Sequence, residues 1–300
     1  MRYPCKPLAP ARESLALARR EAQTFAMPAI FAPSAIQALT GLAQRALARR
    51  DGLVVLGLSG AQGSGKSTLA AALQQAFCAQ GVATATLSLD DLYCTRAGRQ
   101  RLATMVHPML ATRGVPGTHD VALGLATIAA LERGEPALLP RFDKARDDRR
   151  LPAPGDRAPH RTRLLLFEGW CIGALPQSAT ALTQPINALE AEEDGAGRWR
   201  NYANAALAGA YQTLWARIDA LAMLRAPDFA TIVHWRQQQE HALRDTTYPA
   251  PHVMNDTEVI RFVAHYERIT RQILADLPGR ADCVIDLDAN RQVTRIRPRD

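Results

Sequence analysis

The sequence contains no apolar run near the roughly 20 residues that a membrane-spanning helix needs, so a role inside a membrane is not expected. Its start lacks a signal-peptide core, because Glu13 and Arg19-Arg20 break the candidate stretch. An ordinary amphipathic helix accounts for that Ala/Arg-rich beginning as well as a transit peptide does, and a transit peptide is not expected. The five cysteines, Cys5, Cys78, Cys94, Cys171 and Cys283, are odd in number and widely spaced, with no C-x-x-C pair. That pattern argues against a zinc ribbon and a disulfide framework and points to free thiols in a reducing compartment, hence a cytoplasmic location. Despite a net charge of +7 and a pI near 9.5, there is no dense Lys/Arg run, zinc-finger spacing or aromatic-rich RNA-binding signature. The positive charge is mostly arginine and is spread along the chain. It suits an anionic small molecule better than a nucleic acid. Neither an internal repeat nor a low-complexity tail is present. With 47% hydrophobic and 22% charged residues, a folded core is expected rather than disorder.

What is present begins with a short apolar run, Leu53 to Leu58, bounded by glycine. It reads as a strand buried on both faces. Helical periodicity follows over 66–80 and stops at Gly81, and 82–89 reads as a second buried strand. Strand, loop, helix and strand in this order open a βαβ unit. Residues 1–50 read as a helical N-terminal extension, and 51–300 as the main domain. Within that domain, 95–160 is rich in Arg, Asp, Gly, Pro and His and is expected to be mostly functional loops, with one helix at 120–133. Leu164 to Phe167 is a third strand. Residues 176–197 read as irregular, with Glu190, Glu192, Glu193 and Asp194 forming an exposed acidic patch. A helix near 202–216, a strand at 219–224, helices at 228–243 and 256–276, and a pair of short strands over 282–296 complete the reading.

The strongest chemical signal is Gly60-Ala61-Gln62-Gly63-Ser64-Gly65-Lys66-Ser67, followed by Thr68, which matches G-x-x-x-x-G-K-[ST] between a strand and a helix. Its glycines let successive backbone N–H groups converge on phosphate oxygens, and the helix dipole adds positive potential. Lys66 then reaches the terminal phosphates of ATP and Ser67 meets Mg²⁺. Asp90 stands at the carboxyl end of the second strand, where a carboxylate can take a proton from an attacking hydroxyl. Glu168 ends the third strand in the position of an acid that holds Mg²⁺ or its water shell. No N-K-x-D guanine motif and no L-S-G-G-Q signature accompany them, which argues against a GTPase and an ABC ATPase.

Together the phosphate loop, Leu-Ser-Leu-Asp90-Asp91-Leu92-Tyr93 and Leu-Phe-Glu168-Gly-Trp resemble the uridine kinase/phosphoribulokinase group of P-loop kinases. In that group the second strand leads into D-x-F-Y with its first Asp as base. Asp90 takes that place here, and Leu92 replaces the usual aromatic. The segments His107-Pro108, Thr112-Arg113-Gly-Val-Pro-Gly-Thr-His119-Asp120, Pro140-Arg141-Phe-Asp-Lys144, Asp147-Asp148-Arg149 and Glu168-Gly-Trp-Cys171 narrow the resemblance to the plant and fungal type of D-glycerate 3-kinase. It runs from about residue 53 to about 290.

The resemblance implies an α/β P-loop fold: a mostly parallel sheet, helices on both faces, and a helical lid near 228–250. It also implies ATP-dependent phosphorylation of a hydroxyl on a small anionic metabolite, D-glycerate first. Kinases of uridine or pantothenate, and an ATP-binding regulator without catalysis, are the alternatives. Asp90, Tyr93, His107, Arg113, His119, Asp120, Arg141 and Lys144 are the candidate substrate residues. The cations Arg113, Arg141 and Lys144 are suited to a carboxylate clamp. Arg236 and Arg244 are candidates for stabilising the transferring phosphoryl group from the lid.

Overall fold

The computed structural model describes residues 33–244 and 253–299, with side chains for all of these except 243 and 244. Its frame is a six-stranded sheet in the order β2-β5-β1-β6-β7-β8. The strands are β1 (Val54–Gly60), β2 (Thr84–Ser88), β5 (Leu164–Gly169), β6 (Ala220–Arg225), β7 (Cys283–Leu287) and β8 (Val293–Pro298). All neighbours pair parallel except β7 with β8.

The near-continuous apolar runs arise because both faces of the sheet are covered. Val54, Leu56 and Leu58 enter one core, together with helices α1 (Pro33–Arg49) and α2 (Lys66–Ala79). Val55 faces the other, where Leu165, Phe167 and Met223 meet a further helix, α4 (Val121–Glu132). Helix α1 contributes Ala35, Leu39, Leu42 and Ala43 to the same core as the phosphate-loop strand.

The parallel register fixes the site. Leu58 lies opposite Glu168 across β1 and β5, and Ser88 lies opposite Glu168 across β2 and β5. The loop after β1, the acid of β5 and the aspartates after β2 therefore share one carboxyl edge of the sheet, where open α/β folds bind ligands.

Two expectations are corrected. Residues 95–160 hold a second helix, α3 (Arg96–Met105), and a small antiparallel hairpin, β3 (Phe142–Asp143) with β4 (Asp148–Arg149). Helix α3 carries no apolar stripe: its one buried side chain is Arg99, and its start is fixed by Thr95 accepting from the Gly98 amide. The acidic stretch near 190 is not uniformly exposed. Glu190 and Asp194 are buried, paired with Arg268 at 2.6 Å and Arg200 at 3.0 Å, whereas Glu192 and Glu193 are exposed. The remaining helices are α5 (Ala188–Glu193), α6 (Arg198–Ala206), α7 (Gln212–Trp215), α8 (Phe229–Arg244) and α9 (Asp256–Asp276). Between α6 and α7 the chain makes a π-helical turn over Leu207–Tyr211.

The Arg113–Asp120 segment is clamped by aromatics. Trp170 donates to the Gly114 carbonyl at 3.1 Å, and the Tyr266 hydroxyl donates to the Arg113 carbonyl at 3.0 Å. Gly114 has φ 141°, and a Cβ there would overlap the Tyr266 hydroxyl. Gly114→Ala is expected to cost about 2–5 kcal/mol from backbone strain and overpacking combined. Urea denaturation measures it, and an unchanged midpoint would refute the clamp.

Candidate active site

The phosphate loop is shaped by its backbone. Gly63 and Gly65 adopt φ 76° and 86°, next to the right-handed start of α2. Left- and right-handed residues in alternation form a concave set of N–H groups suited to an anion. The N-cap residue of α2 is Gly65, and no side chain among the described residues caps the helix, whose first-turn amides have no intrahelical partners. The loop is braced from outside, since Arg291 donates to the Gly63 carbonyl at 2.7 Å and a Cβ on Gly63 would stand 2.7 Å from Trp235 Cβ.

At the mouth of the loop, the Ser67 hydroxyl donates to Glu168 Oε1 at 2.9 Å, and Lys66 Nζ stands 4.0 Å from Glu168 Oε2. Glu168 is only 4% exposed, and its Oε2 is buried without a hydrogen-bond partner among the described residues. A buried carboxylate oxygen left over beside a serine hydroxyl fits Mg²⁺, which takes few protein oxygens and keeps water and phosphate ligands. No cluster of three His, Cys, Asp or Glu side chains able to hold a metal ion occurs among the described residues.

Asp90 sits one residue beyond Ser88–Leu89, its backbone N–H held by the Ser88 hydroxyl at 3.2 Å. Its two carboxylate oxygens are both engaged: Tyr93 donates to Oδ1 at 2.8 Å and Lys144 to Oδ2 at 2.7 Å. Burial alone would raise the Asp90 pKa, but the charges of Lys144 and Lys66 override it and hold the carboxyl well below the usual range. The Asp90 charge in turn raises Lys144. The chain has three lysines, Lys6, Lys66 and Lys144, and two of them meet here.

The β3–β4 hairpin that delivers Lys144 is tied down by ion pairs. Asp91 accepts from Arg141 at 2.9 Å and from the Phe142 amide at 3.1 Å; burial pushes its carboxyl up despite that arginine. Asp147 pairs with both Arg99 and Arg113. Arg99 is fully buried and also donates to the carbonyls of Cys94 at 2.6 Å, Ala111 at 3.2 Å and Asp147 at 3.0 Å. Arg149 donates to the Tyr93 carbonyl at 2.9 Å and to Asp120 at 2.8 Å, while Asp120 also caps α4 through the Leu123 amide.

Several expected substrate residues thus carry structural duties. Arg113 and Arg141 are held by Asp147 and Asp91, and Asp120 by Arg149 and the helix it caps. The contacts of His107 run to the Met109 amide and, at 4.0 Å, to Asp194, rather than to the Asp90 group. Arg236 pairs with Glu240 and lies over the Phe262 ring, on the helix that braces the phosphate loop. The side chain of Arg244, and with it the end of the expected lid, lies outside the described residues. His119 does join the site: its ring stacks on Tyr93 at 4.6 Å. Burial lowers its pKa to about 4, partly opposed by the Asp90 charge. Sequence reasoning missed Arg99, Tyr211 and Tyr266; it had Arg149 and Trp170 only within motif segments, and Asp147 as one of three aspartates, with Asp143 and Asp148, that could pair with the site cations. The rarity of lysine was the one available signal that Lys144 differs from its arginine neighbours.

No family model matches the chain. An uncharacterised kinase of Schizosaccharomyces pombe, mug58, is 35% identical over 227 residues, covering 71% of this chain and 78% of that protein. The chloroplastic D-glycerate 3-kinase of Arabidopsis thaliana is 30% identical over 261 residues, 79% of this chain; the chain spans 53% of that protein's length. Among solved structures, D-glycerate 3-kinase of Cryptococcus neoformans superposes with a TM-score of 0.73 at 24% identity, covering 89% of this chain and all of that one. The YGR205w protein gives 0.71 at 22% identity, covering 89% and 97%. These two likenesses establish the fold, a P-loop α/β sheet with helices on both faces. Fold and relatives define the protein as a P-loop kinase. It belongs to the family that includes D-glycerate 3-kinase and the fission-yeast kinase. No helix among the described residues is long and apolar enough to cross a membrane.

The electrostatics give a direct test. A depressed carboxyl pKa keeps Asp90 ionised through and below the usual carboxylate range, and that charge is lost only as pH falls through the lowered value. In Lys144→Met the Asp90 pKa rises. The acid limb of kcat/KM should therefore move upward by about 1–3 pH units, relative to wild type. An unmoved acid limb would separate Lys144 from Asp90.

Proposed function

We propose that this kinase transfers the γ-phosphoryl group of ATP to a hydroxyl of D-glycerate, giving 3-phosphoglycerate, with Asp90 as the base. The observation that carries the reading is the Asp90 carboxylate beside the phosphate loop, held between Tyr93 and Lys144. The family relationship to a protein named D-glycerate 3-kinase supports the substrate.

In this reading residues 60–68 hold the nucleotide phosphates, and Ser67 and Glu168 hold Mg²⁺. The bound metal neutralises charge on the phosphates. The substrate hydroxyl oxygen forms the new bond to phosphorus as the bond to the ADP oxygen breaks, and Asp90 accepts the hydroxyl proton. Lys66 stabilises the charge that develops on the transferring group. Lys144, whose side chain is 56% exposed, is the cation best able to meet the substrate carboxylate. Arg113 and Arg141 keep that lysine in place through the hairpin and face the substrate only secondarily. Arg236 serves the phosphoryl group only if it leaves Glu240 on nucleotide binding. A cytoplasmic location is part of the proposal, and the unpaired cysteines among the described residues support it.

Two measurements follow. ADP release with Mg·ATP should be strong with D-glycerate and weak with L-glycerate, uridine and pantothenate; release with none of them would remove the substrate claim. Asp90→Asn should keep ATP binding and lower turnover by about 10²–10⁴-fold. Near-normal turnover would show that the base lies elsewhere.

A further inference from the structure

The π-helical turn at Leu207–Tyr211 ends on a tyrosine that serves the site from behind. Tyr211 is 1% exposed. Its hydroxyl oxygen accepts the Gly117 N–H at 3.0 Å and lies 2.6 Å from His119 Nδ1. The phenol can donate one proton, and His119 Nδ1 is the acceptor in its reach. The imidazole is neutral near pH 7, because its burial pushes protonation down to about 4. A neutral ring whose Nδ1 accepts must carry its single proton on Nε2.

His119 Nε2 is itself buried, with no hydrogen-bond partner among the described residues, on a side chain only 5% exposed overall. Leaving such a donor unpaired is costly, and protein sites keep such atoms for a ligand or water. The surroundings indicate which ligand. The ring stacks on Tyr93, whose hydroxyl is bonded to Asp90, and the Asp90 charge acts on the imidazole. The ring that carries this N–H therefore borders the Tyr93–Asp90 pair.

We propose that Tyr211 is a positioning residue that fixes His119 as an Nε2–H donor, and that His119 is a specificity residue that reads a second oxygen of the substrate. The oxygen is an acceptor next to the reacting hydroxyl. Resting on the glycerate reading, this assigns it to the middle hydroxyl. The opposite tautomer would present a lone pair to that oxygen and repel it. A substrate lacking the oxygen leaves the N–H unpaired and is rejected.

The test pairs a spectrum with a substrate comparison. In ¹⁵N-histidine-labelled protein near pH 7, the long-range ¹⁵N–¹H spectrum distinguishes a protonated ring nitrogen from an unprotonated one. His119→Phe identifies the His119 signals, which should show Nε2 protonated and Nδ1 bare. Protonation on Nδ1 would overturn the tautomer assignment. For the kinetics, D-glycerate is compared with 3-hydroxypropionate, which keeps the carboxylate and terminal hydroxyl but lacks the middle one. Wild type should prefer D-glycerate by about tenfold or more in kcat/KM, and His119→Phe, which keeps a ring against Tyr93, should lose most of that preference. Tyr211→Phe should keep His119 but mix its tautomers and lower the preference several-fold, mainly through KM. An undiminished preference in His119→Phe would overturn the specificity role. If D-glycerate proves not to be a substrate at all, the substrate reading fails while the spectrum still decides the tautomer, so the two failures are told apart.

Discussion

The arrangement rests on one constraint: a carboxylate, Asp90, held largely out of water at the sheet edge and still ionised. An isolated carboxylate in that position would take up a proton. Lys144 at 2.7 Å and the Tyr93 hydroxyl at 2.8 Å prevent it, with help from the Lys66 charge. The same pairing makes Asp90 a weak base at rest. An anion that binds and competes for Lys144 removes part of the stabilisation and makes Asp90 more basic as the substrate arrives. Under the proposed assignment of Asp90 as the base, binding a carboxylate substrate and activating that base become one event.

Holding one lysine against one aspartate demands a rigid support, and the hairpin that carries Lys144 has strands of only two residues each. So short a ladder cannot stand alone. Its rigidity comes from arginine–carboxylate ties: Arg99 and Arg113 to Asp147, Arg141 to Asp91, and Arg149 to Asp120. Arginine suits this work because its planar fork bonds several carbonyl and carboxylate oxygens at once, as Arg99 does. Lysine is a compact point charge on a flexible stem, and the chain places two of its three lysines at the reacting group. Exposed ion pairs contribute little to stability. Arg99 is different, because its charge is buried, and losing Asp147 would leave it uncompensated.

The parts of this protein that were legible in the sequence are those with local signatures. The apolar runs of β1 and β5, the phosphate loop and the acids ending β2 and β5 each declare themselves within a few residues. What was illegible depends on partners far along the chain. Helix α3 has no apolar periodicity because its one buried side chain is an arginine whose carboxylate partner lies 48 residues on. Glu190 resembled a solvated acid because Arg268, 78 residues away, is invisible to a local pattern. Arg113 and Arg141 were recognisable as site cations, with Asp143, Asp147 and Asp148 as their nearby candidate partners, but only the fold selects Asp147 for Arg113 and reveals Asp91 as the partner of Arg141. Likewise, the TRGVPGTHD segment advertised His119, whereas the tyrosine that orients it sits 92 residues downstream, on a π-turn with no sequence signal.

The bracing of the phosphate loop also limits what can move. Trp235 is fully buried, its Cβ packs within 2.7 Å of where a Gly63 side chain would begin, and its indole donates to the Ala289 carbonyl at 2.7 Å. Arg291 ties the Gly63 carbonyl and the Trp235 carbonyl together and lies over the Trp235 ring. The first half of α8 is therefore fixed to the phosphate loop and to the turn between β7 and β8. It cannot swing without deforming the loop that must hold phosphates. A lid beginning at residue 228, as the sequence suggested, is at odds with this packing. These ties end at Trp235, and the next residue of the helix, Arg236, makes its contacts to Glu240 and the Phe262 ring instead. The Arg236 tie to Glu240, whose other oxygen accepts the Met254 amide at 3.1 Å, is the contact that any motion from this point on has to rearrange.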